Sequence, residues 1–220
     1  DKKLSDWRKS GYPAIHHSDA FRSEYRPAYR VIADRYAEFL ALFTEIDKLL
    51  SGGSAIVALE GGSASGKSTL AEILCEVYDC NVFHADDFFL RPEQRTPKRY
   101  AEIGGNVDRE RFLEEVVPYI GKGAFSYRIF DCSRMCLHGA AQIPDARLTV
   151  VEGSYSHHPS FAEVFDLRVF LRVDEQERRA RIVARSGEKS EMFFTRWIPL
   201  ENRYFEVFGI EEKADIVISG

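Results

Sequence analysis

Apolar and polar residues fall along this chain in blocks whose period changes from one to the next. Ile32, Tyr36, Phe39, Phe43, Ile46 and Leu50 recur at spacings of three and four. Pro27 precedes them at a position that suits a first helical turn. One helix over 27–50 is therefore predicted, ended by "SGGS" at 51–54. Beyond it the apolar residues become continuous. "AIVALE" (55–60), "NVFHA" (81–85), "RLTVVEG" (147–153), "DLRVFLRVD" (166–174) and "ADIVIS" (214–219) read as strands. "KSTLAEILCEVY" (67–78), "VDRERFLEEVVPYI" (107–120) and "EQERRARIVARS" (175–186) read as helices between them. Residues 90–106 read as loop, and residues 1–26 show no clear period. Continuous apolar strands separated by helices predict a parallel sheet covered on both faces. The expected class is α/β: three layers around a central parallel sheet in residues 51–220, plus an N-terminal helical extension over residues 1–50.

Composition narrows the function classes. The 220 residues are 45% hydrophobic and 30% charged, enough apolar material for a full core. A net charge of −5 disfavours general nucleic-acid binding. No run of 18 apolar residues is found, so neither a transmembrane helix nor a membrane partner is expected. The opening "DKKLSDWRKS" lacks the apolar centre of a signal peptide. Cys75 falls in an apolar helical pattern, where a buried free thiol is expected. Cys132 and Cys136 form C-x3-C near His138, but no second ligand pair follows at a zinc-like spacing. A reducing, cytoplasmic setting is the simplest reading of the four cysteines.

The chemistry concentrates in "GGSASGKST". Gly61, Gly66, Lys67 and Ser68 fit G-x-x-x-x-G-K-[ST], with Gly62, Ser63, Ala64 and Ser65 between and Thr69 after. A chain that wraps a phosphate closely needs residues without side chains in its way. Its backbone N–H groups then face the anion, and the following helix N-terminus adds positive potential. In this motif Lys67 would reach the β- and γ-phosphates and Ser68 would ligate Mg²⁺. The motif follows a predicted strand and opens a predicted helix, as that mechanism requires. The blander alternative is an unliganded glycine-rich turn. Asp86 and Asp87 follow the next strand, at the sheet edge where ligands bind in doubly wound folds. A carboxylate there can take the proton of an attacking hydroxyl or help to hold the metal, or it can simply cap a turn. Glu152 ends the strand at 147–153, where an acid can orient Mg²⁺ or lie in solvent. Arg178, Arg181 and Arg185 share a helix face that either stabilises a transferred phosphoryl or is solvated. No N-K-x-D guanine signature is present.

At these residues the chain resembles the uridine kinase and phosphoribulokinase family of P-loop kinases. "GGSASGKST" is like that family's phosphate loop and "HADDFF" like its D-x-F-[YF] segment. "GGNVDRERF" (104–112), "FSYRIFDCSR" (125–134), "VVEGSY" and "ADIVIS" are similar to later family segments in the same order. The resemblance covers residues 55–220 and implies a P-loop NTPase fold and ATP- and Mg²⁺-dependent transfer to a hydroxyl. It implies Asp86 as catalytic base, with Lys67 and the lid arginines Arg178 and Arg181 serving the phosphoryl. It implies Asp108 on the ribose hydroxyls, Phe89 and Tyr127 flanking the base, and Arg134 on the acceptor side. The implied acceptor is a nucleoside, uridine or cytidine first, and homo-oligomers occur in the family. Two departures bear on that acceptor. Cys132 stands where the family's base-reading His falls, and a thiol is a weak hydrogen-bond partner. Phe89 stands where uridine kinases carry Tyr. The loop "RPEQRTPKRY" (91–100) is basic, which suits an anionic acceptor or a solvated lid. From another class, an ATP-binding regulator or scaffold would bind nucleotide without making a phosphorylated product.

Overall fold

The computed structural model of the protein describes residues 2–11, 18–26 and 33–219. The chain divides into two units, residues 1–44 and 45–220. In the first, α1 (Lys2–Lys9) and α2 (Asp19–Tyr25) precede a 3₁₀ turn, Asp34–Phe39. Ser18 caps α2 by accepting from the Phe21 N–H at 3.2 Å. Helices of 8 and 7 residues make about two turns each, too few for the periodicity to show. Among the described residues, the helix predicted over 27–50 is α-helical as α3 (Leu40–Gly52), after the 3₁₀ turn. Pro27 and Ile32, on which its start was argued, lie outside the described residues.

In the second unit, five parallel strands form the expected sheet. They are β1 (Ala55–Gly61), β2 (Cys80–His84), β5 (Leu148–Glu152), β6 (Leu167–Arg172) and β7 (Ile216–Ser219), in the order β2-β5-β1-β6-β7. Helix α4 (Lys67–Val77) follows β1, and α7 (Glu175–Ser186) follows β6. Strands β1 and β5 are almost wholly buried, because both sheet faces are covered. From the end of β1 the chain runs through α4 to β2 on one side, and from the end of the adjacent β5 it runs to β6 on the other. Crevices open at such switch points, beyond the carboxyl ends of the strands. The register brings Leu59 and His84 each opposite Glu152, and Gly61 opposite Leu171, so these ends share one edge.

Several elements differ from the pattern-based expectation. The helix predicted over 107–120 is α6 (Arg109–Glu115) alone; Val116 caps it with its N–H bonded to the Phe112 carbonyl, and Pro118 offers no N–H to continue it. The stretch read as loop contains α5 (Pro97–Ala101), whose first turn is capped by Thr96. A hairpin of β3 (Phe125–Asp131) and β4 (Cys136–Ile143) forms a separate antiparallel sheet. Its turn is closed by Asp131 Oδ1, which accepts from the N–H groups of Ser133 and Arg134. After α7, residues 187–208 run through α8 (Ser190–Met192) and a π turn, Phe193–Trp197, into α9 (Ile198–Phe208).

The second unit's aromatic core sits between the sheet, α6, α9 and the hairpin. Phe83, Phe88, Phe112 and Tyr127 pack ring against ring, with centroids 4.4–5.5 Å apart. Phe83, Phe88 and Phe112 are at most 2% exposed, and burial of each contributes roughly 1.5–3 kcal/mol. This core fixes the segment after β2, and with it the two aspartates, against the sheet edge.

Candidate active site

The phosphate loop sits where β1 turns into α4. Gly61 has φ of +152°, and a Cβ there would lie 2.6 Å from the Leu171 carbonyl oxygen. Only glycine fits that approach. Lys67 is buried; its Nζ donates to the carbonyls of Gly61 (2.9 Å) and Gly62 (3.0 Å), arching its side chain over the loop. Ser68 Oγ donates to Glu152 Oε2 across the crevice at 3.2 Å. The hydroxyl of Ser65 is buried without a partner among the described residues. Gly66, at φ +100°, gives way to the first turn of α4, where Thr69 is exposed.

Opposite the loop, β2 delivers its end residues to the same edge. His84 Nδ1 lies 2.6 Å from Glu152 Oε1, and this hydrogen bond raises the imidazole's pKa. The two carboxylate oxygens of Glu152 are thus divided between Ser68 and His84. Asp86 stands in a 3₁₀ turn, Ala85–Phe88, with its side chain open to solvent. The crevice walls still displace much of its surrounding water, which raises its pKa; Lys67 opposes the shift, while Glu152, Glu201 and Asp87 add to it. Asp87 turns the other way. Its Oδ2 accepts from the Tyr127 hydroxyl at 2.8 Å, and its backbone carbonyl accepts from Arg111.

Two buried glutamates hold this edge together, and sequence reasoning missed both. Glu60 is fully buried in β1. It accepts from the N–H groups of Gly61 (2.9 Å), Tyr155 (3.1 Å) and His157 (3.1 Å) and from the Tyr204 hydroxyl (3.1 Å). Desolvation dominates and pushes its pKa up to about 7. Glu201 on α9 is also buried, and accepts from Ser63 N (3.1 Å), Ser63 Oγ (2.5 Å), Ser154 Oγ (3.2 Å) and the Arg178 guanidinium. One signal was visible for Glu60: a carboxylate inside an otherwise apolar strand requires internal donors. His84 had a weaker one, ending the strand beside the aspartates.

Other expected site residues are placed differently. Arg178 is buried; its Nε donates to Ser63 O at 3.1 Å, and a Cβ on Gly62 would lie 2.5 Å from its Cζ. It clamps the loop from α7 together with Glu201. Helix α7 does not present its three arginines together. Arg181 pairs with Glu177 at 2.9 Å, and Arg185 lies 5.5 Å over the Phe193 ring. Tyr127 is only 3% exposed, with its ring 4.4 Å from that of Phe83. Asp108 is 1% exposed; its Oδ1 caps α6 through the Arg111 N–H, and Arg91 Nε lies 3.5 Å from Oδ2. Phe89 is partly buried and bridges Val107 through its backbone. Arg134, at the hairpin turn, lies 3.5 Å from Asp131 and 2.7 Å from His138 Nε2. Cys75 is exposed rather than buried, because α4 turns Ala71, Ile73 and Leu74 inward instead; its Sγ lies 2.9 Å from that of Cys80.

Lys67, Ser68, Asp86 and Glu152 are thus brought to one edge, while Tyr127 and Asp108 are committed to the core. The donor set suits the groups the motif implies. A lysine and a glycine-lined loop of amides match a phosphate chain, and a hydroxyl beside a carboxylate matches an oxygen-ligated Mg²⁺.

No family model matches the chain, and no curated protein matches it by sequence. Solved structures do match its fold. A structure described as a "possible uridine kinase" from Bacillus stearothermophilus superposes with a TM-score of 0.59 at 20% identity, covering 81% of this chain and 100% of that one. A protein provisionally assigned as a fructose transport system kinase, from Silicibacter sp. TM1040, gives 0.58 at 23% identity over 80% and 97%. The YGR205w protein gives 0.54 at 12% identity over 81% and 87%. The chain shares the three-layer P-loop kinase fold with these structures, including the uridine kinase-like one.

Proposed function

We propose that the protein is an ATP- and Mg²⁺-dependent small-molecule kinase that transfers the γ-phosphoryl group to a hydroxyl acceptor. The observation that carries this reading is the contact of Ser68 Oγ with Glu152 Oε2 beside Lys67, with the Asp86 carboxyl on the same edge. A bare phosphate-binding loop needs no second carboxylate facing its crevice; a transferase needs a proton acceptor there.

Lys67 and the loop amides hold the β- and γ-phosphates in this account. Ser68 and Glu152 would hold Mg²⁺, which neutralises charge on the phosphate oxygens. Asp86 accepts the proton of the attacking hydroxyl. That oxygen bonds to the γ-phosphorus as the bond to the bridging oxygen breaks, and ADP leaves. The raised pKa of Asp86 suits a group that must hold this proton briefly. Arg178 acts through the loop, holding Ser63 and Gly62 in place, rather than from a mobile lid.

The nucleoside acceptor drawn from the resemblance has less support from the geometry than the transfer itself. Tyr127 and Asp108 are packed away, and Cys132 stands where an imidazole would read a pyrimidine. A reducing compartment remains the expectation from the cysteine pattern of the sequence, and ATP rather than GTP remains the family expectation. The test is acceptor-dependent ADP release with mass spectrometry of products across nucleosides, sugars, hydroxy acids and their phosphates. A phosphorylated product that requires Asp86 supports the reading. Tight ATP binding with no product from any acceptor would replace it with a nucleotide-binding regulator.

A further inference from the structure

The basic segment 91–100 carries four cations, and their surroundings separate them. Arg91 pairs with Glu93 at 3.3 Å and lies 3.5 Å from Asp108. Arg99 is held by Glu110 at 2.6 Å and donates to the carbonyls of Gly105 and Val107. Lys98 lines an open pocket whose wall also holds Arg99, Glu102 and Glu110, and among the described residues no side chain holds its ammonium in one orientation. Arg95 differs. Its Nε donates to the Leu90 carbonyl at 2.9 Å, and its guanidinium lies 5.7 Å over the Phe130 ring. Among the described residues it makes no ion pair, and both Nη amino groups lack a protein partner. A guanidinium fixed at one nitrogen and on one face presents its remaining edge in a single orientation, suited to two oxygens of an anion.

That edge belongs to the acceptor side of the crevice. Phe130 lies on β3, two residues before Cys132. The Cys132 thiol lies within electrostatic reach of both Arg95 and Asp86. Arg95 is thus held between Leu90, four residues beyond Asp86, and Phe130, two residues before the position where the resemblance puts a base-reading imidazole.

We propose that the phosphoryl acceptor bears an anionic group, a carboxylate or a phosphate ester, which Arg95 binds while the acceptor hydroxyl faces Asp86. The inference rests on the kinase reading above. It makes Arg95 a specificity residue: it binds the acceptor's charge and takes no part in the phosphate loop.

The experiment compares matched acceptors with ATP and Mg²⁺: glycerol, glycerate and glycerol 3-phosphate; ribose and ribose 5-phosphate; uridine and UMP. Wild type, Arg95→Met, Arg95→Lys and Lys98→Met are assayed in parallel. An anionic member should be turned over at least ~10-fold more efficiently than its neutral partner. Arg95→Met should raise that member's KM about 10- to 100-fold, the range of a lost charge-assisted hydrogen bond, with kcat and the KM for ATP nearly unchanged. Arg95→Lys should recover part of the loss, and Lys98→Met should change nothing. Carboxylate and phosphate acceptors are told apart by which arm responds. Preference for neutral acceptors, or an Arg95→Met variant with unaltered anionic KM, overturns the proposal. Absence of turnover on every acceptor overturns the kinase reading instead. Calorimetric titration of inorganic phosphate into ADP-saturated protein then decides separately: binding lost in Arg95→Met upholds the anion subsite, and equal binding in both proteins overturns it.

Discussion

The two sides of the crevice are built on different principles. On the phosphate side, Gly61 to Ser68 lie in one continuous segment, and parallel pairing brings Glu152 beside it. On the acceptor side, residues 86–134 come from a 3₁₀ turn, short helices and a hairpin, and their side chains largely serve the aromatic core. Any phosphate chain makes the same demands, so a local backbone cradle suffices. An acceptor is read by side chains that distant packing must position. The residues that the resemblance names are accordingly gathered at one edge on the first side and dispersed into packing roles on the second.

The largest expected effect lies on the phosphate side and its facing base. Lys67→Ala and Asp86→Asn should each lower kcat by about 10²- to 10⁴-fold, with thermal unfolding showing each variant still folded. Full activity in Asp86→Asn with a confirmed acceptor would remove the base from the account.

The next effect concerns what holds that side rigid. Glu60 has a folded pKa of about 7, above its ordinary value of 4.5, because burial penalises its charge. The folded state therefore binds this proton more tightly than the unfolded chain does. The stability it confers is complete below pH 4.5 and is lost as pH rises through 7. The loss is about 3 kcal/mol at most, from a shift of roughly 2.5 units. Denaturant unfolding at pH 5 and pH 8 should show this decline in wild type and a flatter profile in Glu60→Gln. Equal slopes in the two proteins would mean that the four donors keep Glu60 ionised throughout.

A smaller effect is expected at the clamp. Glu201→Gln weakens the common acceptor of Ser63 and Arg178 and should reduce ATP affinity about 10-fold by calorimetry, the scale of one charged hydrogen bond. Tighter ATP binding would instead mark Glu201 as a competitor for the phosphate's donors. The smallest effect sharpens the contrast from the acceptor side. Tyr127→Phe should cost about 1 kcal/mol of stability through the lost bond to Asp87 while leaving the acceptor KM within about 2-fold. A large rise in KM with unchanged stability would return Tyr127 to the substrate.

The same contrast explains what the sequence revealed. Apolar runs located all five sheet strands to within two residues, because strands buried on both faces carry an unbroken signal. The hairpin escaped, although "FSYRIFD" alternates, because its partner "CLHGAAQI" has only three apolar side chains larger than alanine or glycine, spread without a strict period. The phosphate loop was legible as a contiguous motif. Glu201 was not, since it meets Ser63 across 138 residues and nothing local marks it. Arg178 was recognised as a site residue, but only tertiary packing showed that it grips Gly62 and Ser63 rather than sitting with Arg181.

The most direct test of the central claim is ³¹P NMR of wild-type protein with ATP, Mg²⁺ and the acceptor panel, run beside Asp86→Asn. The account predicts a new phosphate-ester signal that grows with ADP, depends on one acceptor class and disappears in the variant. ADP formed with inorganic phosphate alone, at the same rate with and without acceptor, would contradict it.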